Sequence, residues 1–429
     1  MTKKKQQSSL ACLCNTRYKG LMIKQIYKQR GWTATSAIVR HNCVEVKLTI
    51  DHRYNFCCPK CHSVLKTHSV REISVRDLPF ADKDVILFID TMQGYCSCCK
   101  QYHTIRPEIC HPSCGYTWRL MRLLSRFLMH TSARFLEDEY SISYTTILRL
   151  DKEVLENDIP KPKLHDVQGV LIDEKYLGPS QGFVSLCLNA TTGEPLEMVR
   201  GRDSRCLDDF FNRFEPEQKE KIKFLGIDRS NAYKAAALRH MPHIKVCYDA
   251  YHLVSNMNQV LDKIRRFTMR HPSYTLEQFM KGKRYVLLKG RENISQDART
   301  TLKELSVLNR DLYIGYLLKE QFRQVFQTRD VNTATLRLIL WIKMCMKSKI
   351  KILRRFARKI SEQFNEVING IRYHINSARI ESANASIKRI QAKACGLFDV
   401  RYLFLKLRQI YFLRLQRMHK TSRFFYQQI

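Results

Sequence analysis

Two strand-end aspartates, one helical acid and two cysteine pairs are the residues of this sequence whose types and spacing could do chemistry. Asp173 follows the run Asp166-Val-Gln-Gly-Val-Leu-Ile172, and Asp228 follows Lys221-Ile-Lys-Phe-Leu-Gly-Ile227. Acids ending two neighbouring strands reach one point, where they repel unless a divalent cation neutralises them. Oxygen ligands with open water positions suit Mg²⁺ or Mn²⁺. Such ions can activate an attacking oxygen and stabilise the leaving oxygen of a phosphodiester. Taken alone, a strand-end aspartate also serves as a simple cap. A third acid lies in Asn376-Ser-Ala-Arg-Ile-Glu-Ser-Ala-Asn-Ala-Ser-Ile-Lys388, which puts Glu381, Asn384 and Lys388 on one helical face. A carboxylate, an amide and an ammonium together suit a metal and a phosphate, although a solvated polar stripe has the same spacing. Gly396 is expected to end this helix.

Cys58-Pro-Lys-Cys61 and Cys96-Ser-Cys-Cys99 are knuckles that together complete a tetrahedral four-sulfur zinc site. The 34 residues between them exceed the usual ribbon spacing of about 15–20. Within that span Val70–Val75 and Val85–Ile89 alternate like strands. This predicts a small β-rich module that zinc helps to hold folded. Cys57 and Cys98 are spare neighbours, Cys110 and Cys114 compete as ligands, and Cys12 and Cys14 read as reduced thiols.

The elements around the acids set their geometry. Gly182–Asn189 and Glu194–Val199 read as strands joined to the Asp173 strand in a meander. Then come a helix over Cys206–Phe214, the Asp228 strand, a helix over Asn231–His240, and a strand over Ile244–Tyr248 followed by Asp249. This β-β-β-α-β-α-β order, with strand–helix–strand units extending a meander, is that of a ribonuclease-H-like fold. Upstream, Trp118, Met121, Leu124 and Leu128 repeat at helical spacing. Ser132 is a candidate N-cap for a short helix. Tyr140–Ser143 is a candidate turn. A further helix over Tyr144–Asn157 carries Ile147, Leu148 and Val154 as its apolar positions. That is a helix-turn-helix pattern, though other three-helix packings share it. Residues 257–370, rich in Leu, Ile, Arg and Lys, read as helices.

The chain of 429 residues carries 74 Lys/Arg against 40 Asp/Glu, a net +34, and is 44% hydrophobic. The hydrophobic content excludes a disordered chain, and the charge requires a polyanionic partner, with nucleic acid first among them. Residues 341–429 hold 20 cations against 4 acids, a phosphate-contacting surface or a solvated helical face. The start Met1-Thr-Lys-Lys-Lys-Gln-Gln leads into no apolar signal-peptide region. The run Leu336–Met346 is interrupted by Arg337 and Lys343 and is too short to span a bilayer. The 16 cysteines are accordingly expected as free or metal-bound thiols in a reducing compartment.

Several of these pieces, in this order, resemble the ISL-three family of insertion-sequence transposases, which are DDE transposases. Cys58-Pro-Lys-Cys61, Val75-Arg-Asp-Leu-Pro79 and Tyr95-Cys-Ser-Cys-Cys99 resemble its zinc-finger region. Ile172-Asp-Glu174 and Gly226-Ile-Asp-Arg-Ser-Asn-Ala-Tyr233 resemble its first two catalytic segments, and Tyr248-Asp-Ala-Tyr-His-Leu-Val254 its Asp-x-Phe-His segment. Ala378–Lys388 with Ala394-Cys-Gly-Leu-Phe398 resembles the final pattern, with Ser382 for the usual glycine, Cys395 for tyrosine and, earlier, Tyr251 for phenylalanine. The resemblance implies Asp173, Asp228 and Glu381 as a metal-binding catalytic triad, with Asn384, Lys388, His252 and Asp249 as DNA-binding or supporting residues. For His252 a satisfied core histidine is an equal reading.

The architecture expected is a basic segment over 1–40, a zinc module over 41–112, a helix-turn-helix over 113–160 and a ribonuclease-H-like domain over 161–429, with its helical insertion at about 257–370. The activity expected is binding of terminal inverted repeats in double-stranded DNA, then metal-dependent strand cleavage and transfer. A homodimer on DNA, no membrane association and a cytoplasmic, nucleoid-associated bacterial location go with it. The alternatives are a DNA-binding protein derived from a transposase without catalysis, and a plain nuclease.

Overall fold

A computed structural model describes residues 24–270, 274–281, 284–293, 295–328, 330–375, 377–394 and 399–426. Cys12, Cys14, the first 23 residues of the basic segment, Asn376, and Cys395–Phe398 with Gly396 lie outside the described residues. The chain divides after Ile159 into two compact units.

The first unit is built on five strands: β1 (Trp32–Val39), β2 (Cys43–Ile50), β3 (Lys66–Phe80), β4 (Lys83–Cys96) and β5 (Gln101–Ile105). The sheet order is β1-β2-β4-β3, with β5 also on β4. The long β3–β4 hairpin contains both alternating stretches read in the sequence, and Leu48, Leu87 and Ile89 bury the inward face completely. The sheet takes in β1, upstream of the span beginning at 41, and β2 pairs with β4 in parallel.

Three helices follow: α1 (Trp118–Phe127), α2 (Ala133–Tyr140) and α3 (Tyr144–Asp158). Each starts on a hydroxyl cap. Thr117 accepts from Leu120 N, Ser132 from Phe135 N and Ser143 from Thr146 N, so each cap satisfies an otherwise orphaned amide. Between α2 and α3 Ser141 turns the chain at φ 48°. Met121, Leu124, Ile147 and Val154 are buried as their spacing predicts. Leu150 is fully buried, whereas Leu148 is only half-buried. One buried carboxylate joins sheet to helices: Asp77 of β3 accepts from Tyr27 Oη at 3.0 Å, from Thr117 Oγ1 at 2.6 Å and from Arg119 Nε at 2.6 Å.

The second unit carries β6 (Gly169–Tyr176), β7 (Phe183–Asn189), β8 (Pro195–Arg200), β9 (Phe224–Ile227) and β10 (Lys245–Tyr248). Their order is β10-β9-β6-β7-β8. β6, β7 and β8 form an antiparallel meander, and β9 and β10 extend it in parallel beside β6. Short helices α4 (Asp208–Asn212) and α5 (Pro216–Lys221) lead into β9, and α6 (Asn231–His240) crosses from β9 to β10. From β10 the chain is helical: α7 (Ala250–Thr268), α8 (Tyr274–Met280), α9 (Arg284–Leu288), α10 (Gln296–Leu308), α11 (Arg310–Gln327), α12 (Val331–Lys347), α13 (Lys351–Glu362), α14 (Phe364–Arg372), α15 (Ala378–Ala394) and α16 (Val400–Tyr426). One apolar core runs from the sheet into these helices, where Trp341 is fully buried and donates Nε1–H to Leu318 O at 2.7 Å. At Gly370 α14 lies against β10 so closely that a Cβ would stand 2.2 Å from Tyr248 O.

The C-terminal charge is only partly a surface. Arg408 of α16 is buried, 3.2 Å from Glu194 and bonded to the carbonyls of Pro195 and Pro160, and Lys406 is buried as well. The excess of cations there therefore overstates what is free to meet phosphates, because part of it ties α16 to β8.

Candidate metal centres and cleft

The four cysteines of the two knuckles come together. Their sulfurs lie within 4.8 Å of one another, with Cys61 Sγ to Cys96 Sγ at 3.4 Å and Cys58 Sγ to Cys99 Sγ at 3.9 Å. Zinc–sulfur bonds of about 2.3 Å in a tetrahedron give sulfurs roughly 3.8 Å apart, so the donor set fits the ion. Backbone amides of Lys60 and Cys99 point at Cys58 and Cys96 Sγ, each at 3.4 Å. His103 Nε2, on β5, stands 3.4 Å from Cys58 Sγ, a neighbour the cysteine spacing did not suggest. Cys57 and Cys98 are exposed and outside the cluster. Cys110 and Cys114 do not compete for the site. Burial pushes the Cys110 thiol up to about 12, and Cys114 groups with His111 and Glu153.

The acidic site is set by sheet register. In the parallel β6–β9 pair Ile172 faces Ile227, so Asp173 and Asp228 emerge side by side. Gly226 permits the close packing, since a Cβ there would stand 2.5 Å from Leu171 Cδ2. Ser230 caps α6, and Tyr233 is buried with its hydroxyl 2.7 Å from Ser185 Oγ. The segment Gly226–Tyr233 thus packs a strand end, presents an acid, and starts a helix.

Other predicted residues converge on the pair. His252 Nδ1 lies 3.4 Å from Asp228 Oδ2. Asn384 Nδ2 donates to Asp173 Oδ2 at 2.7 Å, while Asn384 Oδ1 is buried without a hydrogen-bond partner. Burial raises the Asp173 carboxyl above its ordinary range, and the Asp228 charge adds to this, against the Asn384 bond and the His252 charge. Asp249 caps α7, accepting from Tyr251 N at 2.8 Å, and it too is raised by burial.

Glu381 is not brought fully in. It sits in the first turn of α15, exposed, three residues before Asn384, and its charge is felt by Asp249. Among the described residues, the two aspartates and Glu381 do not form a ligand group within 4.8 Å. Lys388 is exposed and lowers Lys175, a residue of β6 two positions from Asp173 whose own burial is the larger cause. A cleft of about 580 Å³ opens beside the pair, lined by Asp173, Asp228, Arg229, Asn256 and Lys359 among others. Lys175 and Lys359 were not marked by any sequence motif; each is assigned by tertiary packing alone.

An orphaned amide oxygen, two adjacent carboxylates and an open cleft form a hard-oxygen donor set that fits Mg²⁺ or Mn²⁺.

Both regions resemble known proteins. An ISL3-type DDE family model, described as "Transposase", matches residues 170–407. A second, described as the zinc-finger of transposase IS204/IS1001/IS1096/IS1165, matches residues 55–99. The transposase for insertion sequence element IS1001 of Bordetella parapertussis is 24% identical over 355 residues, 82% of this chain and 87% of that protein. The transposase for insertion sequence element IS1557 of Mycobacterium tuberculosis (strain ATCC 25618 / H37Rv) is 21% identical over 248 residues, 52% of this chain and 56% of that protein. Among the described residues no helix is long and apolar enough to cross a membrane.

Proposed function

We propose, from the premise that this chain belongs to the ISL3 family of DNA transposases, that it cuts and joins DNA at the Asp173–Asp228 pair. The observation that carries this reading is the convergence of Asp173, Asp228, His252 and Asn384 beside an open cleft. The sheet order, an antiparallel meander extended by two parallel strands, supports a ribonuclease-H-like core.

Asp173, Asp228 and Glu381 would hold Mg²⁺ or Mn²⁺. Glu381 shares a helical face with Asn384, whose amide already bonds Asp173, and joining the pair would require Glu381 to move inward from its exposed position. The bound ion supplies Lewis-acid stabilisation of the attacking and leaving oxygens in an in-line displacement. Asn384 orients the Asp173 carboxylate through its amide hydrogen bond. His252 keeps Asp228 directed into the cleft. Lys175, Lys388 and Lys359 offer ammonium groups to the phosphates flanking the cut. The zinc module and the helix-turn-helix would bind the terminal inverted repeats, with α3 as the recognition helix. Two ends must be joined in one event, which supports a homodimer on DNA.

Asp173→Ala tests the reading. With Mg²⁺ and a duplex carrying the inverted repeats that flank the gene, nicking and joining should fall below detection while repeat binding stays within about twofold. Joining at the wild-type rate by that variant would sink it. The exposed position of Glu381 favours a second reading, a DNA-binding protein without catalysis. Wild-type protein that binds the repeats and never nicks them would establish that reading instead.

A further inference from the structure

The long helix that begins at the acidic site has a second face. His252, Asn256, Val260, Lys263, Phe267 and Arg270 follow one another at steps of three or four residues, so they form a single stripe down α7 and just past its end. At the 1.5 Å rise of a helix the stripe runs about 27 Å outward from the catalytic pair. His252 and Asn256 line the acidic region. Beyond them a second cleft of about 470 Å³ opens between α7 and α13. Lys263, Arg266, Arg270, Arg355 and Lys359 line its walls; Arg266 is paired with Asp262 at 2.6 Å, and among the described residues no acid lines the cleft.

Two features distinguish this cleft from a generally basic surface. Lys359 lines both clefts, so the cationic wall is continuous with the acidic site. Phe267 is 65% exposed in its midst, with the Arg270 guanidinium 5.9 Å from its ring centre. An aromatic ring held open between cations is the pairing that binds an unpaired nucleotide strand. The cations take the phosphates and the ring takes a base face. A duplex keeps its base faces stacked on one another and cannot use the ring.

We infer that the α7–α13 groove is a single-strand DNA site, which guides an unpaired strand into the cleft of the Asp173–Asp228 pair and stacks one base on Phe267. The guiding role rests on the proposed function, whereas the binding rests on the groove alone.

The test uses the full-length protein and a labelled single strand carrying 5-bromouracil, with a duplex of the same length as competitor. Ultraviolet crosslinking followed by trypsin should tag the peptide Phe267-Thr-Met-Arg270, or α13 opposite it, with the single strand and not with the duplex. Phe267→Ala should remove that tag and Phe267→Trp should restore it. Lys263→Glu combined with Arg355→Glu should weaken single-strand binding roughly tenfold and flatten its log–log salt slope by about 1.4, two contacts of about 0.7 each. All these side chains are exposed, and an unchanged melting temperature verifies the fold. Tags only outside α7 and α13, equal tagging by duplex, or variants that bind and crosslink as the wild type each overturn the groove. Asp173→Ala separates this from the cleavage reading. If that variant keeps the Phe267 tag, and the wild type never cuts, the groove stands and the cleavage reading falls. If cutting persists in a wild type that never tags, the opposite holds.

Discussion

At the scale of single residues, the acids were legible because a carboxylate after an apolar run marks the end of a buried strand, and the order of elements made two such strands neighbours. What the sequence could not convey was the state of each side chain. Asp173 is raised by burial and by Asp228, so its folded carboxyl titrates above its unfolded value. Such a group favours the folded state while protonated, and that advantage is lost as pH rises from the unfolded value through the folded one. Asp173→Asn removes the titration and leaves an oxygen for Asn384 to bond. Metal-free Asp173→Asn should therefore melt higher than the metal-free parent at pH 7, and the gap should close on acidification toward pH 4. A variant melting below the parent at pH 7 would contradict the burial argument. Lys175 and Lys359 had no signature at all, because a lysine two places along a strand, or one in a basic helix, looks like any other until the fold is closed.

At the scale of elements, the three helices of the first unit were readable from their caps and apolar spacing, and the β3–β4 hairpin from its alternation. The first two strands were not. The register of β1 against β2 shifts between Ala34 and Ser36, which breaks the alternation, and the parallel β2–β4 pairing joins segments with a whole strand between them. Asp77 stood in the quoted segment Val75-Arg-Asp-Leu-Pro79 with no role of its own, yet its side chain is fully buried against Arg119. Burial alone would raise that carboxyl, but the bonds from Arg119 and Thr117 outweigh it and hold it below its usual range. Its stabilisation is therefore full above the unfolded carboxylate range and is lost as pH falls through the lower folded value. Asp77→Ala strands a partly buried guanidinium and two hydroxyls, for a cost of about 3 kcal/mol. Chemical denaturation of the first unit, followed by tryptophan fluorescence, should show a midpoint lowered accordingly. A shift below about 0.5 kcal/mol, the size of an ordinary surface substitution, would mean the junction is held by something else.

At the scale of the whole molecule, charge and zinc divide the labour. The net charge correctly pointed to DNA as the partner class of a transposase, but not to the burial of Arg408 and Lys406, which only the docking of α16 reveals. The Cys58–Cys61–Cys96–Cys99 site lies in the first unit and the carboxylates in the second. Structural zinc can contribute roughly 10–16 kcal/mol in small modules, as much as the whole stability of an ordinary domain. A strong zinc chelator should accordingly abolish amide-exchange protection across β3–β5 while β6–β10 keep theirs. Equal loss in both units would show that they fold as one.

The pairing of Ile172 with Ile227 carries one more implication. Adjacent strands are spaced about 4.8 Å apart by their peptide hydrogen bonds, so the gap between the two aspartate backbones is a lattice constant of the sheet. Exposed loops between residues 177 and 223 can lengthen or shorten without altering that gap. A one-residue slip of Phe224–Ile227 is different, since it would turn Asp228 to the opposite side of the sheet. Between its two acids the molecule can thus vary its exposed loops outside β7, β8 and the buried α4, yet has no tolerance for a single-codon shift at β9.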